Sequence, residues 1–241
     1  TKKIDAVRRC SSEGYFCDKI SIEKLKHFVS KEAFNIDGLG KKIIEGFWKS
    51  KFIKYPQDIF KLDYNKIEKL EGWGKLSVEN LKYSINQKKN ISLERFIFAL
   101  GIRHIGLENA RLLSKNFKSF SNLKNLSKTK KYDDLLNIDG IGETQINSIK
   151  SFMENEINIK VLNELSKVLV IKNYVENKKG GLLKDKSFLV TGKLNGISRA
   201  EVKSLIEENS GKTISSISKK LNFLIIGEKP TKKKVDYAKQ L

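Results

Sequence analysis

Along the first 172 residues, apolar side chains return every three or four positions. Ile22, Leu25, Phe28 and Val29 set one such stripe, and Leu93, Phe96, Ile97 and Leu100 another. Ile43, Ile44 and Phe47, then Val78, Leu81 and Ile85, then Leu112 and Leu113, then Ile146 and Ile149 continue the series. This spacing lines up apolar positions on one face of an α-helix, so each run predicts an amphipathic helix packed on a core. Only two prolines interrupt the chain, Pro56 and Pro230, and Pro56 stands where a short helix over 57–62 can begin.

Four glycine-centred segments separate the stripes: Ile36 to Gly40 (IDGLG), Leu70 to Gly74 (LEGWG), Ile102 to Gly106 (IRHIG) and Ile138 to Gly142 (IDGIG). Their last glycines lie 34, 32 and 36 residues apart, so each period holds a turn and about two helices. The expected arrangement is a tandem array in which each glycine turn joins two helices. Near residue 172 the pattern changes, because IKNYVENKKGGLLKDK is polar and carries a Gly-Gly pair, which predicts a linker over 173–181. SFLVTG, the amphipathic stretch 198–208 with Val202, Leu205 and Ile206, TISS, NFLIIG and a last helical run then predict strand, helix, strand, strand, helix. The fold class expected is therefore mainly α, a tandem helical array over 20–172, followed by a small α/β domain over 182–241.

The charge balance changes the picture from fold to partner. In 241 residues, 48 Lys and Arg stand against 28 Asp and Glu, a formal net charge of +20. The excess is spread over both parts, since residues from Leu182 onward hold 13 basic and 6 acidic side chains. Such a surplus points to a polyanion, nucleic acid first, although Lys, Asn and Ile are frequent throughout and part of the charge is then only a solvated coat. No apolar run approaches the ~18–20 residues of a membrane-spanning helix. Two cysteines exclude a disulfide scaffold and suit a reducing cytoplasm. The opening TKKIDAVRRC, which lacks Met, reads as the middle of a longer polypeptide.

A hydrophobic-x-Gly-hydrophobic-Gly turn ahead of a helix has a chemical use. Glycine permits positive φ and close approach of a ligand, while the following helix presents unpaired N–H groups and a partial positive charge. The result is an anion cradle able to hold a nucleic-acid phosphate without regard to base. Gly38 and Gly40, Gly72 and Gly74, Gly106, and Gly140 and Gly142 are the candidate positions, with Lys41, Lys42 and Lys75 adding charge just beyond them. In the third turn His104 replaces the first glycine, which implies a less free backbone but leaves Arg103 and His104 to reach phosphate themselves. The fourth carries Glu143 and Thr144 where a base would help. A Gly→Val change at Gly72 or Gly140 is expected to weaken such binding. The plainer alternative is a helical bundle whose glycines only end helices. Cys10 and Cys17 alone cannot complete a tetrahedral zinc site, and His27 in LKHFVS is better placed on a helix face than as a ligand.

The four turns resemble the helix-hairpin-helix motif of DNA repair and replication proteins. Taken in order, RRC…C, LKHFVSKEAFNIDGLG, LEGWGKLSVENL, FIFALGIRHIGLENARLL, LLNIDGIG and LKDKSFLVTGKL…SR resemble the C-terminal half of bacterial NAD-dependent DNA ligases. The resemblance implies a zinc-finger remnant over 1–19, with Cys10 and Cys17 as the last two of four structural zinc ligands. It implies further a helix-hairpin-helix domain whose turn glycines approach DNA, and a BRCT domain from Leu182 that stops short of its final strand and helix. Thr191 and one of Lys232, Lys233 or Lys234 take the positions at which BRCT relatives hold phosphate. The partner implied is duplex DNA with a nick, gripped across the minor groove by a monomer in the bacterial cytoplasm. NAD and Mg would be bound by domains absent from this sequence, as would the adenylated lysine of a Lys-x-Asp-Gly motif, because Asn35 and Asn137 precede the two Asp-Gly pairs. This chain alone is then expected to be catalytically inactive. The alternatives are a non-catalytic helix-hairpin-helix and BRCT scaffold, separable by gene context, and a nuclease subunit, for which the clustered carboxylates are not evident.

Overall fold

The structure, a computed structural model, describes residues 15, 17–175 and 181–241. Cys10 and part of the expected linker lie outside the described residues. The chain divides into two compact units between Tyr174 and Val175.

The first unit is helical: α1 (Asp18–Phe28), α2 (Lys41–Lys49), α3 (Tyr64–Glu68), α4 (Lys75–Gln87), α5 (Leu93–Ala99), α6 (Leu107–Phe117), α7 (Phe120–Thr129), α8 (Glu143–Met153) and α9 (Glu156–Val168). The apolar stripes read from the sequence face inward as the helical period requires: Leu25, Phe28, Ile44, Phe47, Val78, Leu81, Ile85, Phe96, Ile97, Leu113 and Ile149 are all buried. Phe28 stacks on Phe34 with ring centroids 4.2 Å apart, and Phe60 closes against both. Phe60 belongs to a 3-10 helix, Pro56–Lys61, which begins at Pro56 as anticipated and packs on α9. The Lys61 ammonium lies 2.9 Å from Glu164 of α9, and that carboxylate also meets Lys167 at 2.5 Å. These two cations hold the Glu164 pKa down, to about 2.

One expectation needs correction, and one pairing was not anticipated. The first and fourth glycine turns do not join two α-helices. Residues 31–34 ahead of the first are tight turns, with the Asn35 N–H donating to the Ser30 carbonyl at 2.8 Å, and a 3-10 helix, Asp133–Asn137, precedes the fourth. Segments of so few residues close one turn of backbone hydrogen bonds at most, and the buried Phe34 and Leu135 anchor them instead. The sequence pattern also gave no sign of β1 (Asn90–Ser92) and β2 (Val170–Lys172), which pair in parallel from Asn90 opposite Val170 to Ser92 opposite Lys172. Three residues are too few for an alternating pattern, and the pairing closes a loop of about eighty residues that only the packed helices bring together.

The second unit is the anticipated α/β module: β3 (Ser187–Thr191), α10 (Arg199–Glu208), β4 (Lys212–Thr213), β5 (Phe223–Ile226) and α11 (Lys232–Gln240). Its sheet has the order β4, β3, β5, all parallel. Phe188 and Leu189 of the central strand are buried, Phe188 stacks on Phe223, and Ile206 of α10 is buried. Leu205, expected on the same inward stripe, is 48% exposed, because the inward side of this short helix is taken by its neighbour Ile206. Among the described residues no helix is long and apolar enough to cross a membrane.

Candidate functional site

The four glycine turns share one backbone plan. In each, the N–H of the second hydrophobic residue donates to the carbonyl of the first: Leu39 to Ile36, Trp73 to Leu70, Ile105 to Ile102 and Ile141 to Ile138, at 3.0–3.4 Å. The last glycine then accepts the first helical hydrogen bond: from Ile44 to Gly40, from Val78 to Gly74, from Ala110 to Gly106 and from Ile146 to Gly142, at 2.9–3.1 Å. Gly40, Gly74, Gly106 and Gly142 are thus the N-caps of α2, α4, α6 and α8, and as glycines they bring no side-chain acceptor to the first-turn amides. The first-turn amides are left facing outward with the positive end of the helix behind them.

The two glycines of a turn have different duties. Gly38, Gly72 and Gly140 hold φ of +87°, +78° and +90°, conformations that L side chains rarely adopt. His104, in the same place in the third turn, takes φ +62° as well, in the region that L side chains rarely adopt. The capping glycines are extended: Gly40 at φ −67°, Gly74 at −132°, Gly106 at −83° and Gly142 at −106°. A Cβ built on Gly40, Gly74 or Gly106 would meet nothing within 4 Å, and one on Gly142 only the Gln145 side chain at 3.4 Å. Nothing in the folded chain itself requires glycine at these caps.

The hairpins lie in pairs. A Cβ on Gly38 would touch Leu81 of α4 at 3.5 Å, and one on Gly140 would collide with Leu112 of α6 at 2.9 Å, so the first turn lies on the second hairpin and the fourth on the third. Phe47 of α2 against Trp73, 5.5 Å between centroids, supports the first pair. Lys26 of α1 binds Glu23 at 2.6 Å and Glu45 of α2 at 2.7 Å. Hydrogen bonds donated by Lys26 to both carboxylates raise its pKa, and Lys26 in turn lowers that of Glu45.

Lys41, Lys42, Lys75, Arg103 and His104 are all exposed beside their turns. Sequence reasoning missed the side chains that brace the turns from the third helical position. The Gly74 N–H donates to Ser77 Oγ at 2.9 Å, the Gly142 N–H to Gln145 Oε1 at 3.2 Å, and Asn109 Nδ2 donates to the His104 carbonyl at 3.0 Å. The signal was present as a polar residue three places after each of these glycines, the spacing of a capping box. Arg95 of α5, buried and donating to the Ala33 carbonyl ahead of the first turn, carried no such signal.

The remaining candidates fall elsewhere. His27 Nε2 donates to the Phe98 carbonyl at 2.7 Å and its ring packs on Phe98, which places it on a helix face in contact with the third hairpin. Cys17 is a half-buried free thiol at the start of α1, beside a cavity of about 570 Å³ lined by Glu23, Lys24, His27, Gly101 and Ile105. Among the described residues no three His, Cys, Asp or Glu side chains form a metal-holding group. Cys10 lies outside the described residues, and two thiolates have the chemistry of a zinc site but supply half of the four ligands a tetrahedral one takes. Thr191 is buried and its hydroxyl accepts the Thr231 N–H at 3.2 Å, pinning β3 to the start of α11. Lys232 and Lys233 are exposed there and Lys234 is half-buried.

Residues 95–162 match the helix-hairpin-helix motif family, and residues 178–241 the BRCA1 C Terminus (BRCT) domain family. The chain is 64% identical over 240 residues to the DNA ligase of Pelagibacter ubique (strain HTCC1062), covering all of this chain and 36% of that protein. It is 43% identical over 235 residues to the DNA ligase of Wolbachia pipientis wMel, covering 95% of this chain and 35% of the relative. For the DNA ligase of Rickettsia bellii (strain RML369-C) the identity is 39% over 236 residues, with 93% and 34% covered. The chain spans about a third of the length of these relatives. The chain thus carries a helix-hairpin-helix motif and a BRCT domain, and along its length it is similar to about a third of each of these DNA ligases.

Proposed function

We propose that this chain is the duplex-gripping portion of an NAD-dependent DNA ligase that seals nicks in replication and repair. Four capping glycines support the reading: exposed, in ordinary extended backbone, three of them with empty space where a Cβ would go, and none replaced by the Ser, Thr, Asp or Asn that a helix start favours. Glycine is also accepted at an N-cap, so stability permits it at all four without singling it out. A phosphodiester seated against the amides explains it, since any side chain would stand where the phosphate must come. Lys41, Lys42 and Lys75 supply the charge, and pairing of the hairpins offers two such starts to the two strands of a duplex.

In this reading the chain acts as a monomer in the bacterial cytoplasm. The adenylation lysine, NAD and Mg belong to parts of the enzyme outside this sequence, and Cys10 and Cys17 contribute two of four ligands to a structural zinc. Binding measured by fluorescence anisotropy is expected to fall steeply with salt, log K dropping by ~0.9 for each phosphate neutralised per unit of log[salt], with little dependence on base sequence. A nicked duplex is expected to bind at least as tightly as an intact one. Incubation with NAD and nicked DNA is expected to leave the protein without a covalent AMP; an adduct, or affinity indifferent to salt, overturns the reading.

A further inference from the structure

Asparagine is thermolabile, and most so before glycine, which has no Cβ to shield its backbone nitrogen from the carboxamide ahead of it. The chain holds one such pair, Asn195-Gly196, in the loop between β3 and α10. Both residues are exposed. Gly196 takes φ +72°, a Cβ built on it would meet nothing within 4 Å, and none of the described residues accepts a hydrogen bond from its N–H. The two Asn-Ser pairs, with the next smallest follower, are protected. Asn147-Ser148 lies inside α8, where the Ser148 N–H is committed to the helix, and the Ser210 N–H after Asn209 donates to the Glu207 carbonyl at 2.9 Å.

The Asn195 carboxamide also faces a group that its acid would repel. Asn195 Nδ2 donates to Glu228 Oε1 at 2.9 Å, the only sense open to a carboxylate partner. Lys193 and Glu228 exchange backbone hydrogen bonds of 2.7 Å, an antiparallel bridge that closes the ends of β3 and β5. Ser198 caps α10, its hydroxyl accepting from the Glu201 N–H. The loop is therefore a short span between two fixed points.

We propose that Asn195 is a site of spontaneous deamidation, with water as the co-reactant, and that the product loosens the closure between β3 and β5. The Gly196 nitrogen gives its proton to water and bonds to Asn195 Cγ. The Cγ–Nδ2 bond breaks and that nitrogen leaves, with a proton from water, as ammonia. Water then opens the succinimide at either carbonyl, so amide and water become acid and ammonia, as aspartate or isoaspartate. Either product sets a carboxylate against Glu228 where a donor stood, and isoaspartate adds a backbone carbon between the bridge and the Ser198 cap.

The test ages the whole chain, folded, at mildly alkaline pH beside a free peptide of residues 193–199. Peptide mass spectrometry follows each asparagine, and isoaspartyl methyltransferase labels the isoaspartate. Asn195 is expected to convert first, at a rate close to that of the peptide, while Asn147 and Asn209 stay intact. Protection of Asn195 relative to the peptide, or earlier conversion at Asn147 or Asn209, overturns the site. Asn195→Asp supplies one product outright, and Asn195→Gln keeps an amide donor whose longer side chain closes a ring more slowly. Hydrogen exchange at the Lys193 and Glu228 amides reads the bridge. Faster exchange of both in Asn195→Asp than in Asn195→Gln is expected, and equal exchange overturns the loosening.

Discussion

Substituting Gly74 by Ala adds one methyl group where the structure has none. Gly74 sits at φ −132° and ψ 171°, backbone that any residue adopts, and no heavy atom lies within 4 Å of the new Cβ. Folding stability should hardly move. Removing glycine's freedom from the unfolded chain stabilises by roughly 0.4–1 kcal/mol, and alanine's poorer fit to an N-cap costs a comparable ~0.5–1 kcal/mol. Binding should move far more. If the first-turn amides of α4 hold a phosphate, a methyl group that displaces it removes a charge-assisted hydrogen bond worth about 1.5–3 kcal/mol, or about 10- to 100-fold in Kd. Anisotropy titration of a labelled duplex at fixed ionic strength, beside a thermal unfolding scan, reads both quantities on one preparation. A loss of affinity at unchanged Tm is the expected result. Wild-type affinity at unchanged Tm would refute the reasoning and leave Gly74 as a helix cap and nothing more.

The same substitution is expected to grade along the chain. Gly40→Ala should lose about as much as Gly74→Ala, and Gly106→Ala and Gly142→Ala less, because α6 and α8 carry Glu108 and Glu143 in their first turns; equal losses at all four would contradict the electrostatic argument. Gly140→Val is a poor probe of contact: φ +90° and Leu112 2.9 Å from the new Cβ strain the turn by ~1–3 kcal/mol, so thermal unfolding should register it before any DNA is added. That corrects the use of this substitution as a simple block to approach. Glu164, whose pKa is lowered to about 2 from 4.5 by Lys167 and Lys61, contributes stability that is present above pH 4.5 and lost as pH falls towards 2. Glu164→Gln should therefore flatten the wild-type decline over that interval in a denaturant titration, and an unchanged slope would remove Glu164 from the acid response.

Helical spacing alone located the stripes that became the buried faces of α1, α2, α4, α5, α6 and α8, because a period near 3.6 residues and the demand to bury apolar surface leave little choice. The four glycine turns were legible for a related reason: their backbone plan is local, closed by hydrogen bonds three or four residues apart, and so written in adjacent letters. The division between a helical array and a small α/β module followed from the same short-range patterns, and the parallel order of its strands came only with the structure. What tertiary structure decided is everything that depends on distant partners. The pairing of first with second and fourth with third hairpin rests on Leu81 and Leu112 meeting glycines some 43 and 28 residues away. The β1 and β2 pairing, the burial of Arg95 against Ala33 and the capture of His27 by Phe98 arise only when packed helices bring those groups together. Nor could the letters tell which glycine of each turn is demanded by its own φ and which is free of any such demand. That distinction needs coordinates, since it turns on the dihedral and the empty volume at each Cα, and it separates the glycines that build the fold from those left over for a ligand.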